Sequence, residues 1–243
     1  MTIIFDLDGT LLNTIDDLGY ACNYALEKTG YPTYPIEAYP AKVGNGINNL
    51  IRRALPESGR TEENVLKVRE FFVPYYNSHN CDYTRPYEGI PELLATLKSQ
   101  GHQLAVASNK YQAATEKIVN HFFPDIFDVI LGEREGIERK PNPQIVYDIL
   151  SCLSANKKSD LSVKRSFSET VFQSEGRSLY IGDSLVDRDT AANANVPFVA
   201  CSWGFVSRNA LIEAGVTRII DQPEDLMQYL ACVGNKVEYI TTF

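Results

Sequence analysis

Two aspartates stand two residues apart behind a short apolar run, Ile3-Ile4-Phe5-Asp6-Leu7-Asp8-Gly9-Thr10. If the run is a strand, that spacing sends both carboxylates to one side. Other polar groups also follow apolar runs. Ser108-Asn109-Lys110 comes after Leu104-Ala105-Val106-Ala107, and Lys140 lies beyond Val129-Ile130-Leu131. Gly182-Asp183-Ser184 comes after Leu179-Tyr180-Ile181, with Asp187 four residues past Asp183. Asp183 and Asp187 would be neighbours on one helical face. Clustered carboxylates repel one another unless protons or a cation intervene. A hard divalent ion relieves this, and Mg²⁺ commonly takes one or two carboxylates plus a substrate phosphate. These segments contain no His or Cys, which argues against zinc. Asp16 and Asp17 have no such setting and read as carboxylates at a helix start.

The groups can meet only if the fold brings the ends of the runs together. In an open parallel sheet, ligands gather outside the carboxyl ends of the strands. Further strand-like runs are Phe198-Val199-Ala200 and Arg218-Ile219-Ile220. Helical patterns over 91–99, 113–120 and 144–153 alternate with the runs. The alternation predicts an α/β fold with a doubly wound parallel, Rossmann-like sheet. Residues 14–84 break the alternation. They hold helical patterns over 14–29, 48–55 and 62–76, with Pro32, Pro35, Pro40, Gly44 and Gly46 at the turns. We expect 14–84 to be an inserted helical cap domain, with 1–13 and 85–243 as the catalytic core. The linkers would lie near Asn13 and 83–86. Residues 154–178, rich in Ser, Lys and Glu, read as a surface excursion without chemistry.

Lys plus Arg is 23 against 31 Asp plus Glu, a net charge of −8 with no basic stripe, so a nucleic-acid partner is not expected. No apolar run approaches the roughly 20 residues of a membrane helix. Residues 1–6 lack the basic start of a secretory signal. The five cysteines show no Cys-x-x-Cys spacing, which suggests free thiols in a reducing compartment. The expectation is a cytoplasmic monomer or homodimer, with no membrane partner.

Taken in order, residues 6–14, 108–110, 140–143 and 182–187 resemble the four motifs of the haloacid dehalogenase superfamily phosphatases. Val43-Gly44-Asn45-Gly46, the following Leu50-Ile51 and Arg53-Ala54-Leu55, and Ser202-Trp203-Gly204-Phe205 are similar to the phosphoglycolate phosphatase branch. The 154–178 stretch departs from that branch, where this connection is short. The resemblance implies Asp6 as nucleophile and Asp8 as general acid, then base. It implies Ser108 and Lys140 on the phosphoryl group, with the main-chain N–H groups of Leu7, Gly9 and Asn109 as further donors. Mg²⁺ would be held by Asp6, Asp183 and the main-chain carbonyl of Asp8, with Asp187 as a further or water-mediated ligand. Lys110 reads as a solvated neighbour. The turn at Asn45 and Gly46 would face the substrate, with Lys42 or Arg53 available for a carboxylate. The resemblance implies a small phosphorylated metabolite as the partner, with 2-phosphoglycolate the leading candidate. A β-phosphoglucomutase-like phosphotransferase, a pyrophosphatase and a catalytically silent phosphate-binding module are the competing readings.

Overall fold

The computed structural model describes residues 1–156 and 178–238. The chain opens with strand β1 (Thr2–Phe5), and the short β2 (Leu12–Asn13) leads out of the sheet. Helices α1 (Ile15–Lys28), α2 (Ile47–Ala54) and α3 (Glu62–His79) follow, and β3 (Arg85–Pro86) leads back. Then come α4 (Ile90–Ser99), β4 (Gln103–Tyr111), α5 (Gln112–Phe122), β5 (Val129–Glu133) and α6 (Gln144–Asn156). The last elements are β6 (Ser178–Gly182), α7 (Leu185–Asn193), β7 (Phe198–Cys201), α8 (Arg208–Glu213), β8 (Ile219–Ile220) and α9 (Asp225–Glu238). The helix α6 runs to Asn156, inside the expected excursion, and 157–177 lie outside the described residues.

Six strands form a parallel sheet in the order β5-β4-β1-β6-β7-β8, the doubly wound α/β arrangement that the alternating pattern predicts. Strands covered on both faces read as unbroken apolar runs, and β1 is buried throughout. Ile3 and Phe5 belong to a cluster with α4 and α5 that extends through Leu11 and Leu12 to α1. Ile4 and Tyr180 face the other way, onto Ile145, Val146 and Ile149 of α6. From β1 the chain builds outward through β4 and β5, then crosses back to lay β6 on the other side of β1. That reversal opens the crevice where such sheets bind ligands. It also places Asp6, after β1, beside Asp183, after β6, because Phe5 and Ile181 are register partners.

The strand β4 is longer than its apolar run. It continues past Ala107 to Tyr111, with a register shift against β5 between those two residues. Ser108 and Lys110, two apart, are therefore both buried. Among the described residues, no helix is long and apolar enough to cross a membrane.

The way out of the sheet and the way back are tied together. β2 and β3 pair antiparallel, Leu12 with Pro86 and Asn13 with Arg85. Asp17 lies in the first turn of α1 as expected, and it also accepts from the Tyr83 N–H at 3.0 Å, the Thr84 N–H at 2.8 Å and the Thr84 hydroxyl at 2.7 Å. It is 2% exposed. Asp17→Ala strands two main-chain donors at a cost of about 1–3 kcal/mol each. A loss of about 3 kcal/mol, lowering the melting temperature by about 6–12 °C in calorimetry, is expected. An unchanged melting temperature would contradict the clamp.

Candidate active site

The floor of the site is a knot of buried charge. Lys140 Nζ donates to Asp6 Oδ1 at 2.8 Å, Asp187 Oδ1 at 2.7 Å and the Ala107 carbonyl at 2.9 Å. The Tyr180 hydroxyl lies 3.2 Å from the same nitrogen. Lys140 is set in place by Asn109, whose Oδ1 accepts from the Lys140 N–H at 2.9 Å and whose Nδ2 donates to the Lys140 carbonyl at 3.1 Å. Asp187 is held by a capping box at the start of α7. Ser184 Oγ accepts from the Asp187 N–H, and Asp187 Oδ2 accepts from the Ser184 N–H and hydroxyl. Tyr180 looked like one more apolar strand residue. A buried Tyr must find a partner for its hydroxyl, and that requirement was the sequence signal.

Asp183 occupies a slot that only glycines leave open. Its Oδ2 accepts from the Phe205 N–H at 2.7 Å. A Cβ on Gly9 or on Gly204 would collide with the Asp183 side chain, and Gly9 also sits at φ +88°. Trp203 Nε1 donates to the Thr10 carbonyl at 3.0 Å and braces the same loop. Asp8 turns aside: its Oδ1 accepts from Thr14 Oγ1 at 2.7 Å and lies 3.0 Å from Lys110 Nζ.

A cavity of about 310 Å³ stands over this floor, with Asp6, Asp8, Ser108, Lys140 and Asp183 in its lining. Its roof comes from residues 40–53, including Asn45 and Gly46, and from Tyr76 of α3. Asn45 Oδ1 is buried without a hydrogen-bond partner. The roof is tied down by Arg139 Nη1 on the Asn45 carbonyl at 3.3 Å and by Lys117 Nζ on the Asn77 carbonyl at 2.6 Å. The structure thus brings together Asp6, Asp8, Ser108, Asn109, Lys140, Asp183, Asp187, Asn45 and Gly46.

Three expectations need correction, for Lys110, Gly9 and Lys42. Lys110 is not solvated; its side chain is 4% exposed, because β4 carries it inward beside Ser108. The Gly9 N–H is not free for a ligand, since it donates to the Leu12 carbonyl at 2.9 Å. Arg53 lines the cavity, with Nη1 on the carbonyls of Lys42, Val43 and Gly44, where it shapes the turn. Lys42 lies over the Tyr34 ring, 4.2 Å from its centroid, and is not part of the cavity lining. The Leu7 N–H has no protein partner among the described residues and stays available.

Electrostatics favour a cation here. One oxygen each from Asp6, Asp183 and Asp187 lie within 4.8 Å of one another, all buried. Burial, then the Asp187 charge, pushes Asp6 well above the usual carboxylate range, against the pull of Lys140. Burial and Asp187 likewise push Asp183 up to about 7 from 3.8. Burial alone would depress Lys140, but Asp187 and Asp6 overcome it and hold the ammonium charged. An oxygen-only donor set with excess negative charge fits a hard divalent cation. Asp183 binds more protons folded than unfolded, so without a cation stability falls as pH rises from about 4 to 7. Divalent cation should therefore stabilise more at pH 8 than at pH 5, where protons compete. At a hundredfold excess over Kd the gain is about 2.7 kcal/mol, about 5–10 °C in a thermal melt. An equal shift at both pH values would contradict this origin.

Comparison with known proteins agrees with the geometry. The family model described as haloacid dehalogenase-like hydrolase matches residues 3–201. A phosphoglycolate phosphatase of Haemophilus influenzae (strain 86-028NP) is 31% identical over 234 residues, covering 93% of this chain and 96% of that protein. One from Aquifex aeolicus is 29% identical over 229 residues, covering 94% and 95%. A crystal structure from Lactobacillus delbrueckii subsp. bulgaricus, provisionally named a phosphoglycolate phosphatase, superposes with a TM-score of 0.80 at 34% identity. It covers 93% of this chain and 95% of that one. With its parallel sheet, its buried Asp–Lys floor and a match over most of its length, the chain belongs to the haloacid dehalogenase-like hydrolase family.

Proposed function

We propose that this chain is a Mg²⁺-dependent phosphatase that hydrolyses a small phosphate monoester through an aspartyl-phosphate on Asp6. Within the family it is a phosphoric monoester hydrolase. The observation that carries the reading is the state of Asp6. Lys140 fixes its Oδ1, Oδ2 has no hydrogen-bond partner among the described residues, and Asp6 lines the cavity. A carboxylate oriented by one oxygen and open at the other suits nucleophilic attack.

Asp6 Oδ2 attacks phosphorus in line with the ester oxygen. Asp8, held by Thr14 on the cavity side, protonates the departing alkoxide. Asp8 then takes a proton from the water that cleaves the Asp6 acyl phosphate, returning Asp6 and releasing phosphate. The Ser108 hydroxyl, the Leu7 N–H and Lys140 orient and neutralise the phosphoryl oxygens, the positioning that phosphoryl transfer chiefly needs. The residues that would hold Mg²⁺ are Asp6, Asp183 and the main-chain carbonyl of Asp8. Asp187 already accepts from Lys140, Tyr180 and Ser184 and would reach the ion through water. When bound, the ion would supply positive charge against the phosphoryl oxygens.

The relatives' names make 2-phosphoglycolate the leading substrate. Support against a phosphotransferase comes from the roof, where Lys42 lies on the Tyr34 ring outside the cavity lining and Arg53 Nη1 is engaged by main-chain carbonyls, so no basic cluster faces a second phosphate. Retention of Asp6, Asp8, Ser108, Lys140 and Asp183 in one floor disfavours a silent binding module. We further propose that 14–84 acts as a cap domain hinging near Asn13 and 83–86, with the β2–β3 ribbon and the Asp17 clamp as its base.

Asp6→Asn keeps the shape of the side chain and removes the nucleophile. It should lower kcat by at least about a thousandfold. The melting temperature should hold or rise, because a buried negative charge leaves the cluster. Turnover of 2-phosphoglycolate with Mg²⁺ measures the first and calorimetry the second. Retention of a tenth of wild-type kcat would overturn the assignment.

A further inference from the structure

Lys110 is a buried cation that the phosphoryl chemistry above leaves unused. It lines the cavity, with its side chain 4% exposed. Nζ lies 3.0 Å from Asp8 Oδ1 and donates to the Tyr76 hydroxyl at 2.7 Å. An ammonium carries three N–H groups. Two have protein acceptors here, and the third has none among the described residues. Buried donors are seldom left without a partner, so the third N–H calls for an acceptor from the cavity.

Of the other cations in the lining, Lys140 is fully committed and Arg53 is committed in part. Arg53 Nη1 donates to three main-chain carbonyls, and Lys140 Nζ to Asp6, Asp187 and the Ala107 carbonyl. Lys110 is the cation beside Asp8, so a second anionic group on the leaving fragment would meet it. Its place also sets where that group must be. Asp8 serves the leaving oxygen, and Lys110 stands one contact beyond Asp8, so a group carried on the first carbon of the alcohol fragment comes within reach. A planar, two-oxygen acceptor such as a carboxylate makes a charge-assisted bond to an ammonium at about 2.7–2.9 Å.

We propose that Lys110, steered by Tyr76, is the specificity-determining residue that receives a carboxylate borne one carbon beyond the leaving oxygen. This rests on the phosphatase reading above and defines its substrate class as phosphate esters of 2-hydroxy acids. 2-Phosphoglycolate is the smallest member. Lys110 takes over the task that the sequence assigned to Lys42 or Arg53.

The test compares two esters that share a phosphate and a two-carbon chain and differ in the carboxylate: 2-phosphoglycolate and ethyl phosphate. Steady-state kinetics with Mg²⁺ are measured for the wild-type protein, Lys110→Met and Tyr76→Phe. Removing the Lys110 charge also disturbs Asp8, but that damage falls on both esters and cancels in the ratio of their kcat/KM values. For Lys110→Met the ratio of 2-phosphoglycolate to ethyl phosphate should fall by about a hundredfold, mostly through KM. For Tyr76→Phe, which keeps the charge and covers the case in which Lys110→Met does not fold, it should fall several-fold. A ratio within about threefold of wild type in the variants, with both esters still turned over, would overturn the proposal and leave the phosphatase standing. A wild-type preference for ethyl phosphate would also overturn it. Failure of the wild-type protein to hydrolyse either ester would overturn the phosphatase reading as well.

Discussion

Three carboxylates, Asp6, Asp183 and Asp187, share one buried floor with a single ammonium, Lys140. Burying that much like charge is costly, and an interior pair leaves little margin for a poor geometry. Much of the local architecture answers this constraint. Lys140 reaches two of the carboxylates at once because Asn109 grips its main chain from both sides. Asp187 is locked by Ser184 and Tyr180, so its lone pairs are spent within the protein. Asp183 is confined between Gly9 and Gly204. The remaining excess of negative charge favours a cation at the floor.

The fold supplies this floor through topology more than through local sequence. Asp6 and Asp183 lie 177 positions apart in the numbering yet become neighbours because β1 and β6 are paired in register at the reversal of the sheet. Side chains at strand ends escape the regular ladder while resting on a rigid base, which suits groups that must be positioned closely. The helices after β2 contribute a second layer. Their loop at Asn45 and their Tyr76 roof the cavity, and the same excursion returns beside its own exit through β3 and Asp17. A roof attached at one edge of the floor can vary its lining without moving the charged cluster.

The sequence made this floor legible because each reactive group follows an apolar run at a spacing that survives into the structure. The sheet class followed from the same pattern. The errors came where tertiary context reassigns a side chain. The apolar pattern stops at Ala107, so Lys110 looked like loop, yet the strand continues and carries it inside. Tyr180 was hidden within an apolar run, since nothing in its neighbours shows where a hydroxyl will point. Asp17 stood at a helix start, where carboxylates are common, and its partners at 83 and 84 lie far along the chain. Arg53 and Lys42 were free charges on paper, but the turn at 43–46 needs its carbonyls satisfied, and Arg53 does that.

If the floor presents Asp6 as a nucleophile, phosphorus is attacked twice, first by the carboxylate and then by water. Each in-line displacement inverts the configuration at phosphorus. The direct measurement uses a phosphorothioate ester made chiral with oxygen isotopes and hydrolysed in isotopically labelled water, followed by assignment of the product's handedness. Two displacements give overall retention, the expected result. Inversion, the outcome of a single displacement by water, would contradict it.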